Sequence, residues 1–269
     1  MPSRKRTDWL EIGSGKSYLH RVHRPLQCLI FIMPLLLVYQ IASALHPWTS
    51  EQAANGVTYS PHVVAFVLML KFFALFGAVG NILPPLAVVA ILVFWHLARK
   101  DQWEFNPKLY MGMFGESILW ALPIFVIGLA VTRHAAPGFA SLQAAGSQSP
   151  PLAAAGELPW QTEAVLSIGA GIYEELLFRL VAIIILNIIL VDIFDLKAST
   201  AIPIIILTSA ILFAAYHYLG AEHFNPATFA FRSAMGVYLA GIFIYRGFGI
   251  AVGTHTTYDL IVVAFTHLH

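Results

Sequence analysis

The residues whose types and spacing could support chemistry lie in three apolar segments of the C-terminal part of the chain. In chain order they are Glu174, Glu175 and Arg179 in the first segment, Phe213 and His217 in the second, and His255 and Asp259 in the third. A glutamate, two histidines and an aspartate on three apolar helices can converge only in a shared polar cavity. That composition suits general acid–base catalysis, or it could supply two or three ligands to a metal ion.

The charges of the first segment, GAGIYEELLFRLVAIIIL, are costly in a membrane. Each charge near the membrane centre costs about 2.5–3.5 kcal/mol, and three together about 7–10 kcal/mol if unpaired. Glu175 and Arg179 are spaced i, i+4 in the favourable order, which predicts an ion pair. Glu174 is turned about 100° away around the helix and must face something else. A purely structural salt-bridge cluster between helices is the alternative for this trio.

The three motifs, taken in order, resemble those of the CPBP family. These are the intramembrane proteases related to the type II CAAX prenyl endopeptidase, also called the ABI family. The resemblance rests on EExxxR, FxxxH and HxxxD, each within an apolar segment, and covers about residues 160–267. The small residues from Gly236 to Gly241 and the turn Arg246-Gly247-Phe248-Gly249 are also similar to the family. A single motif carries little information, whereas the ordered set is a strong signal.

This resemblance implies an α-helical intramembrane endopeptidase that cleaves a membrane-bound or prenylated protein or peptide. It assigns Glu174 as the base that activates water. His217 and His255 would position that water, or would bind a divalent metal such as zinc together with Glu174. Supporting structural positions are implied for Glu175, Arg179 and Phe213. No organic cofactor is expected.

Asp259 departs from the family pattern, which usually ends HxxxN. An asparagine could donate a hydrogen bond to the oxyanion of a tetrahedral intermediate, whereas an ionised aspartate cannot and would repel that charge. Asp259 would have to be protonated, or orient His255 as its i, i+4 partner, or strengthen a metal site. The departure affects the expected oxyanion role rather than the family resemblance.

The composition of the chain indicates that these motifs lie in a membrane protein. Of 269 residues, 58% are hydrophobic and 11% are charged, whereas a soluble domain has about 25% charged residues. The net charge of +1 argues against nucleic-acid binding through a basic face. The single cysteine, Cys28, excludes an internal disulfide and is interpreted as a small apolar residue. The chain is therefore predicted to be an all-α, polytopic transmembrane helix bundle with about seven or eight spans.

The chain divides into four parts. They are a cytoplasmic basic N-terminus (1–25), N-terminal transmembrane helices (26–133), an extramembrane loop (134–160) and a catalytic helix bundle (161–269). Residues 26–45 are apolar and uncharged, and we interpret them as an uncleaved span. Ala42-Ser43-Ala44 leaves a signal peptide as the alternative. The positive-inside rule predicts that the N-terminus is cytoplasmic. A bacterial cell membrane fits this topology, and an ER-type membrane is the alternative.

The region 62–98 contains two apolar runs, 62–79 and 82–98, separated by a turn with two prolines. The connection 99–109 is basic and should lie inside, so the region needs one net crossing. We therefore expect 62–79 to lie in the membrane interface rather than to span. The remaining predicted spans are 110–132, 162–191, 199–219, 226–246 and 249–267.

Simple spans leave a difficulty for the proposed site. His217 falls near the end of its helix and His255 near the start of a parallel helix, so the two would lie at different depths. Tilted helices or shifted boundaries would be needed to bring them together. Three other ionisable residues could line the cavity or support the site: Glu116, Glu163 and Arg232. Glu222-His223 is expected in a short loop.

Two other function classes remain open from the residues alone. Buried carboxylates and histidines also mark ion pathways, so a proton-coupled transporter is possible, but the chain shows none of the internal symmetry typical of many transporters. A non-catalytic scaffold or immunity protein could keep the same fold and bind a partner. The protease hypothesis predicts that replacing Glu174 abolishes processing, whereas the scaffold hypothesis predicts retained function.

Overall fold

The computed structural model describes residues 17–45, 63–134, 159–219 and 224–268. Within these ranges the chain forms helices and no strands. The helices are α1 (Tyr18–Val22), α2 (Pro25–Leu45), α3 (Val64–Ala74), α4 (Leu83–Arg99), α5 (Pro107–His134), α6 (Trp160–Ile193), α7 (Ala198–Tyr216, followed by the 3-10 turn His217–Leu219), α8 (Pro226–Arg246) and α9 (Phe248–Leu268). Most of the expected loop 134–160 lies outside the described residues. The predicted all-α helix bundle is confirmed.

Six of these helices are long and apolar enough to cross a membrane, namely α2 and α5 to α9. Two shorter apolar helices, α3 and α4, complete the set, so the total is roughly compatible with seven or eight spans. The 11 residues of α3 rise about 16 Å, about half of the hydrocarbon core. This length fits the expectation that the segment does not cross by itself. The chain is an integral membrane protein.

The N-terminal segment and the connection after α4 lie on the same face of the bundle. Nη2 of Arg21 is 2.8 Å from Oε1 of Glu104, and Nη1 of Arg24 is 3.5 Å from Oε2 of the same carboxylate. The side-chain amide of Gln27 also donates to the Glu104 carbonyl at 2.8 Å. Two crossings, one by α2 and one net crossing by the region 62–98, return the chain to the same face, as this arrangement requires. That this face is cytoplasmic stays a prediction.

The helix α9 lies at the centre of the C-terminal half. It packs along α5 and α6, while α7 packs along α8. Of the six candidate spans among the described residues, α9 is the most enclosed by protein. Motif residues on α9 are therefore held away from lipid by their neighbours.

The close approach of α6 to α9 depends on a glycine. A Cβ atom on Gly171 would lie 2.9 Å from the backbone nitrogen of Thr256 and closer still to the threonine hydroxyl. Only a residue without a side chain fits this crossing. Because Gly171 and Thr256 are near neighbours of Glu174 and His255 in sequence, the crossing brings the first and third motifs together.

The helix α6 changes its winding directly after the two glutamates. It is α-helical over Trp160–Glu175, π-helical over Leu176–Ala182, α-helical over Ile183–Asn187 and π-helical again over Ile188–Ile193. The hydroxyl of Ser209 on α7 donates to the Phe178 carbonyl at 2.6 Å, inside the first π-helical stretch. Such widened turns occur frequently at functional sites. They also explain why the predicted span 162–191 is one long helix with uneven geometry.

Candidate active site

Glu174 is fully buried and its two carboxylate oxygens have different surroundings. The hydroxyl of Tyr216 donates to Oε1 at 2.7 Å. The other oxygen, Oε2, accepts no hydrogen bond from the described residues and lies 3.9 Å from Nε2 of His255. One oxygen is thus committed to the protein, while the other faces a histidine across a gap that is too wide for a hydrogen bond.

The predicted ion pair between Glu175 and Arg179 is present. Nε of Arg179 lies 3.1 Å from Oε2 of Glu175, and both side chains are fully buried. The Arg179 guanidinium also lies over the Phe213 ring, 4.3 Å from its centroid. This cation–π contact joins the first motif to the second.

His255 lies among three carboxylates. Its Nδ1 atom is 2.8 Å from Oε1 of Glu175, which is a hydrogen bond. Its Nε2 atom faces Oδ2 of Asp259 at 3.5 Å and Oε2 of Glu174 at 3.9 Å. Since a carboxylate only accepts, Nδ1 carries the proton that is shared with Glu175. Glu175 therefore orients the imidazole, and Nε2 is the ring atom directed towards the other two carboxylates.

Asp259 contacts His255 as its i, i+4 neighbour. Its carboxylate and Oε2 of Glu174 both face Nε2 of His255, which is the side of the ring away from Glu175. The 3.5 Å separation is an ion-pair distance when the imidazole carries a second proton, whereas the hydrogen bond to the ring is that of Glu175. The role of Asp259 stays a prediction.

His217 belongs to the same cluster through the aromatic ring of Phe213. The ring centroid of Phe213 lies 5.0 Å from that of His217 and 6.0 Å from that of His255. Nδ1 of His217 contacts the Phe213 carbonyl at 2.7 Å, so this nitrogen donates, and in the neutral ring Nε2 is left as the acceptor. The difficulty of unequal depths is resolved at this single place, where the end of α7 meets the second turn of α9.

The metal site that the resemblance implied would need Glu174, His217 and His255 to act as a set of ligands. Among the residues that the structure describes, no three His, Cys, Asp or Glu side chains are grouped so that they could hold a metal ion. Nδ1 of His255 and Nδ1 of His217 are both bound to protein oxygens, which leaves Nε2 as the ring nitrogen that could bind a metal in each. As arranged, the described side chains form no three-ligand set, so the proposed reaction uses no metal, and a bound metal stays a prediction.

Tyr216 is a residue of the site that the sequence reasoning missed. It is the last residue of α7, is 4% exposed, and directly precedes His217. Its contact with Glu174 joins two helices, so no spacing within one segment could reveal it. The only available signal was a polar hydroxyl next to a motif histidine in an apolar run.

Other singled-out residues lie elsewhere. The Glu116 carboxylate accepts from Tyr18 at 2.7 Å and from Trp120 at 2.9 Å, and it also binds Arg246, which ties α1, α5 and α8 together. Burial, and then the hydrogen bond to Glu116, raise the pKa of Tyr18 above its usual range, so its hydroxyl stays a donor. We therefore assign Glu116 to the fold rather than to the site.

The Glu163 carboxylate lies 3.0 Å from Nε2 of His267. The Arg232 guanidinium lies 5.7 Å from the ring centroid of Tyr218, the residue that follows His217. Cys28 is buried and its thiol contacts the Val22 carbonyl at 3.3 Å, in keeping with its interpretation as a small core residue. The Glu222-His223 pair lies outside the described residues.

Comparison with known proteins bears on the C-terminal part of the chain. Residues 157–261 match the family model described as "Type II CAAX prenyl endopeptidase Rce1-like". The matched region contains all seven motif residues and confirms the resemblance to the CPBP and CAAX protease family. No curated protein and no solved structure matches the chain.

Proposed function

We propose that the family match extends to activity, and that this membrane protein is an endopeptidase in which Glu174 activates a water molecule. The observation that carries the proposal is the unequal pair of Glu174 oxygens. Oε1 accepts a hydrogen bond from Tyr216, whereas Oε2 accepts none from the described residues and faces Nε2 of His255 at 3.9 Å. A carboxylate oxygen and an imidazole nitrogen at this distance can both bind one water that lies beside the line joining them, and the carboxylate can take its proton.

The reaction follows from these atoms. Oε2 of Glu174 takes a proton from water, and the hydroxide adds to the carbonyl carbon of the scissile peptide bond. The former carbonyl oxygen then carries the negative charge of the tetrahedral intermediate. Glu174 passes its proton to the leaving nitrogen, the carbon–nitrogen bond breaks, and a carboxylic acid and an amine are formed.

The two histidines have separate tasks in this proposal. His255 has its Nδ1 fixed by Glu175, so its Nε2 is aimed at the reaction centre and can stabilise the developing oxyanion when it carries a proton. His217 has its Nδ1 fixed by the Phe213 carbonyl, so its Nε2 can accept a hydrogen bond from the attacking water. In each histidine, the hydrogen bond at Nδ1 fixes the orientation of the ring and so the direction of Nε2.

The substrate is proposed to be a membrane-associated protein or peptide, prenylated or not. The site lies within helices that are apolar enough to span the membrane, so a peptide bond must reach it from the bilayer or its surface. Glu174 has no exposed surface, which means that helices must separate for a peptide bond to enter.

The complete burial of Glu174 also favours a second candidate function. In it, the protein is a scaffold that keeps the fold and binds a partner without cleaving it. Asp259 in place of the usual asparagine points in the same direction, since its charge would repel an oxyanion. The two candidates differ in what they require of Glu174. A protease needs its carboxylate, and a scaffold needs only its packing.

The test is cleavage of a quenched fluorescent peptide library, prenylated and unprenylated, by detergent-purified protein. Wild type and Glu174→Gln are compared, since glutamine keeps the volume and the hydrogen bond from Tyr216 but cannot act as a base. Cleavage by wild type alone would support the protease. Equal signals from both proteins, or no cleavage of any library member, would overturn it in favour of the scaffold.

A further inference from the structure

We infer that Tyr216 is a positioning residue that selects Oε2 of Glu174 as the base. The inference rests on the proposed function and deepens it. The Tyr216 hydroxyl donates a hydrogen bond of 2.7 Å to Oε1 of Glu174. Hydrogen bonds from a hydroxyl to a carboxylate are among the short and strong ones, at about 2.5–2.7 Å.

The ring that carries this hydroxyl is held by other aromatic rings. Its centroid lies 4.9 Å from that of Phe178 on α6 and 4.6 Å from that of His217. Phe213, one turn earlier on α7, is partly stacked with it at 6.5 Å. Because the ring is enclosed on these sides, the hydroxyl has a fixed position and can constrain the carboxylate that it binds.

The two carboxylate oxygens of Glu174 are chemically identical, but the hydrogen bond from Tyr216 gives them different contacts. A carboxylate that is free to rotate about its last bond presents either oxygen to a water. With one oxygen bound to Tyr216, any rotation short of the half-turn that exchanges the two equivalent oxygens would break a buried hydrogen bond. The carboxylate therefore keeps its other oxygen directed towards His255 at 3.9 Å. Tyr216 thus reduces the number of unproductive orientations of the base before any substrate arrives.

The experiment compares wild type with Tyr216→Phe, which removes the hydroxyl and keeps the ring contacts. We expect kcat to fall about 10- to 100-fold while KM is unchanged, because the base is misplaced and the peptide contacts are not. Replacing Tyr216 by p-aminophenylalanine restores a donor at the same place and should recover part of kcat. Thermal unfolding in detergent reports whether each variant folds.

The matched control is Tyr173→Phe. Tyr173 is also a buried tyrosine, adjacent to Glu174, but its hydroxyl accepts from Gln40 at 3.3 Å and does not contact the base. This variant should keep the wild-type kcat. A fall in kcat of the same size in both variants would indicate a general packing effect and would overturn the inference.

A second measurement tests the contact without using activity. A double-mutant cycle on thermal stability with Tyr216→Phe and Glu174→Ala should show coupling, because the two single variants remove the same hydrogen bond. Additive effects would overturn the inference. Wild-type kcat in Tyr216→Phe would overturn it and leave the proposed function intact, whereas a wild type that cleaves nothing would overturn both.

Discussion

Oε1 of Glu175 lies 2.8 Å from Nδ1 of His255, on a helix 80 residues further along the chain. The same carboxylate faces Arg179 with its other oxygen at 3.1 Å. One side chain therefore neutralises a buried cation and orients a histidine of the site. Glu175 has a structural and a functional task at once, and the two can be separated experimentally.

Glu175→Gln should lower both stability and activity. It leaves Arg179 without a counter-charge in a fully buried position, and breaking a buried ion pair costs about 3–5 kcal/mol. The double variant Glu175→Gln/Arg179→Met should recover part of that loss, because no unpaired charge remains. Thermal unfolding in detergent checks this expectation.

Cleavage assays on the same variants test whether Glu175 also orients His255. Activity should stay low in the double variant even though stability returns, because His255 still lacks the carboxylate that orients it. Recovery of stability and activity together would contradict the assignment of Glu175 as the residue that orients His255.

Asp259→Asn should raise kcat. The aspartate lies 3.5 Å from Nε2 of His255, so asparagine removes a charge that repels an oxyanion and keeps the hydrogen bond by which Glu175 orients the imidazole. An asparagine there could donate to the oxyanion, and deleting such a donor elsewhere costs about 100-fold or more, so a gain on the order of tenfold is expected. Steady-state kinetics on a cleaved peptide measure it, and a loss of activity would show that the carboxylate itself is required.

Gly171→Ala should separate α6 from α9. The new methyl group would lie 2.9 Å from the backbone nitrogen of Thr256, which cannot move without shifting the helix. We expect a loss of roughly 1–3 kcal/mol of stability, typical of overpacking, and a larger proportional loss of kcat. The control is Gly241→Ala on α8, where a Cβ meets nothing within 4 Å. That variant should be neutral or slightly stabilised, and similar behaviour of both variants would contradict the close crossing.

Treatment with EDTA, followed by desalting, should leave cleavage intact. The expectation follows from the arrangement of the described side chains, in which no three potential ligands are grouped around one point. Inactivation by EDTA that is reversed by added zinc would instead support the three-ligand set of Glu174, His217 and His255. Metal content of the purified wild type and of His217→Ala, measured by mass spectrometry, provides a readout independent of activity.

The parts of the site that lie within one helix were predictable from the sequence. The Glu175–Arg179 pair follows from i, i+4 geometry, and the membrane cost of unpaired charges required such a partner. The all-α architecture follows from continuous apolar runs. Both are local consequences of spacing and composition, so they need no knowledge of how the helices pack.

Contacts between helices were not predictable in the same way. Spacing paired His255 with Asp259, and the two face each other at 3.5 Å, but the hydrogen bond of His255 to Glu175 joins two helices and could not be predicted. Tyr216 escaped notice because its partner is 42 residues earlier in the chain. Both contacts depend on how the helices cross, including the close crossing at Gly171, and on the winding of α6. A residue pattern within one segment contains no information on either.

The π-helical stretch Leu176–Ala182 gives α6 one place where its length can change. Wide turns of this kind accommodate an additional residue within an α-helix, so the segments on either side keep their phase. Deleting a single residue there should return the stretch to α-helical winding and would displace the Phe178 carbonyl from Ser209. The same deletion within Trp160–Glu175 would instead rotate one part of the helix by about 100° relative to the other. The stretch should thus tolerate a change of length better than the helix that precedes it.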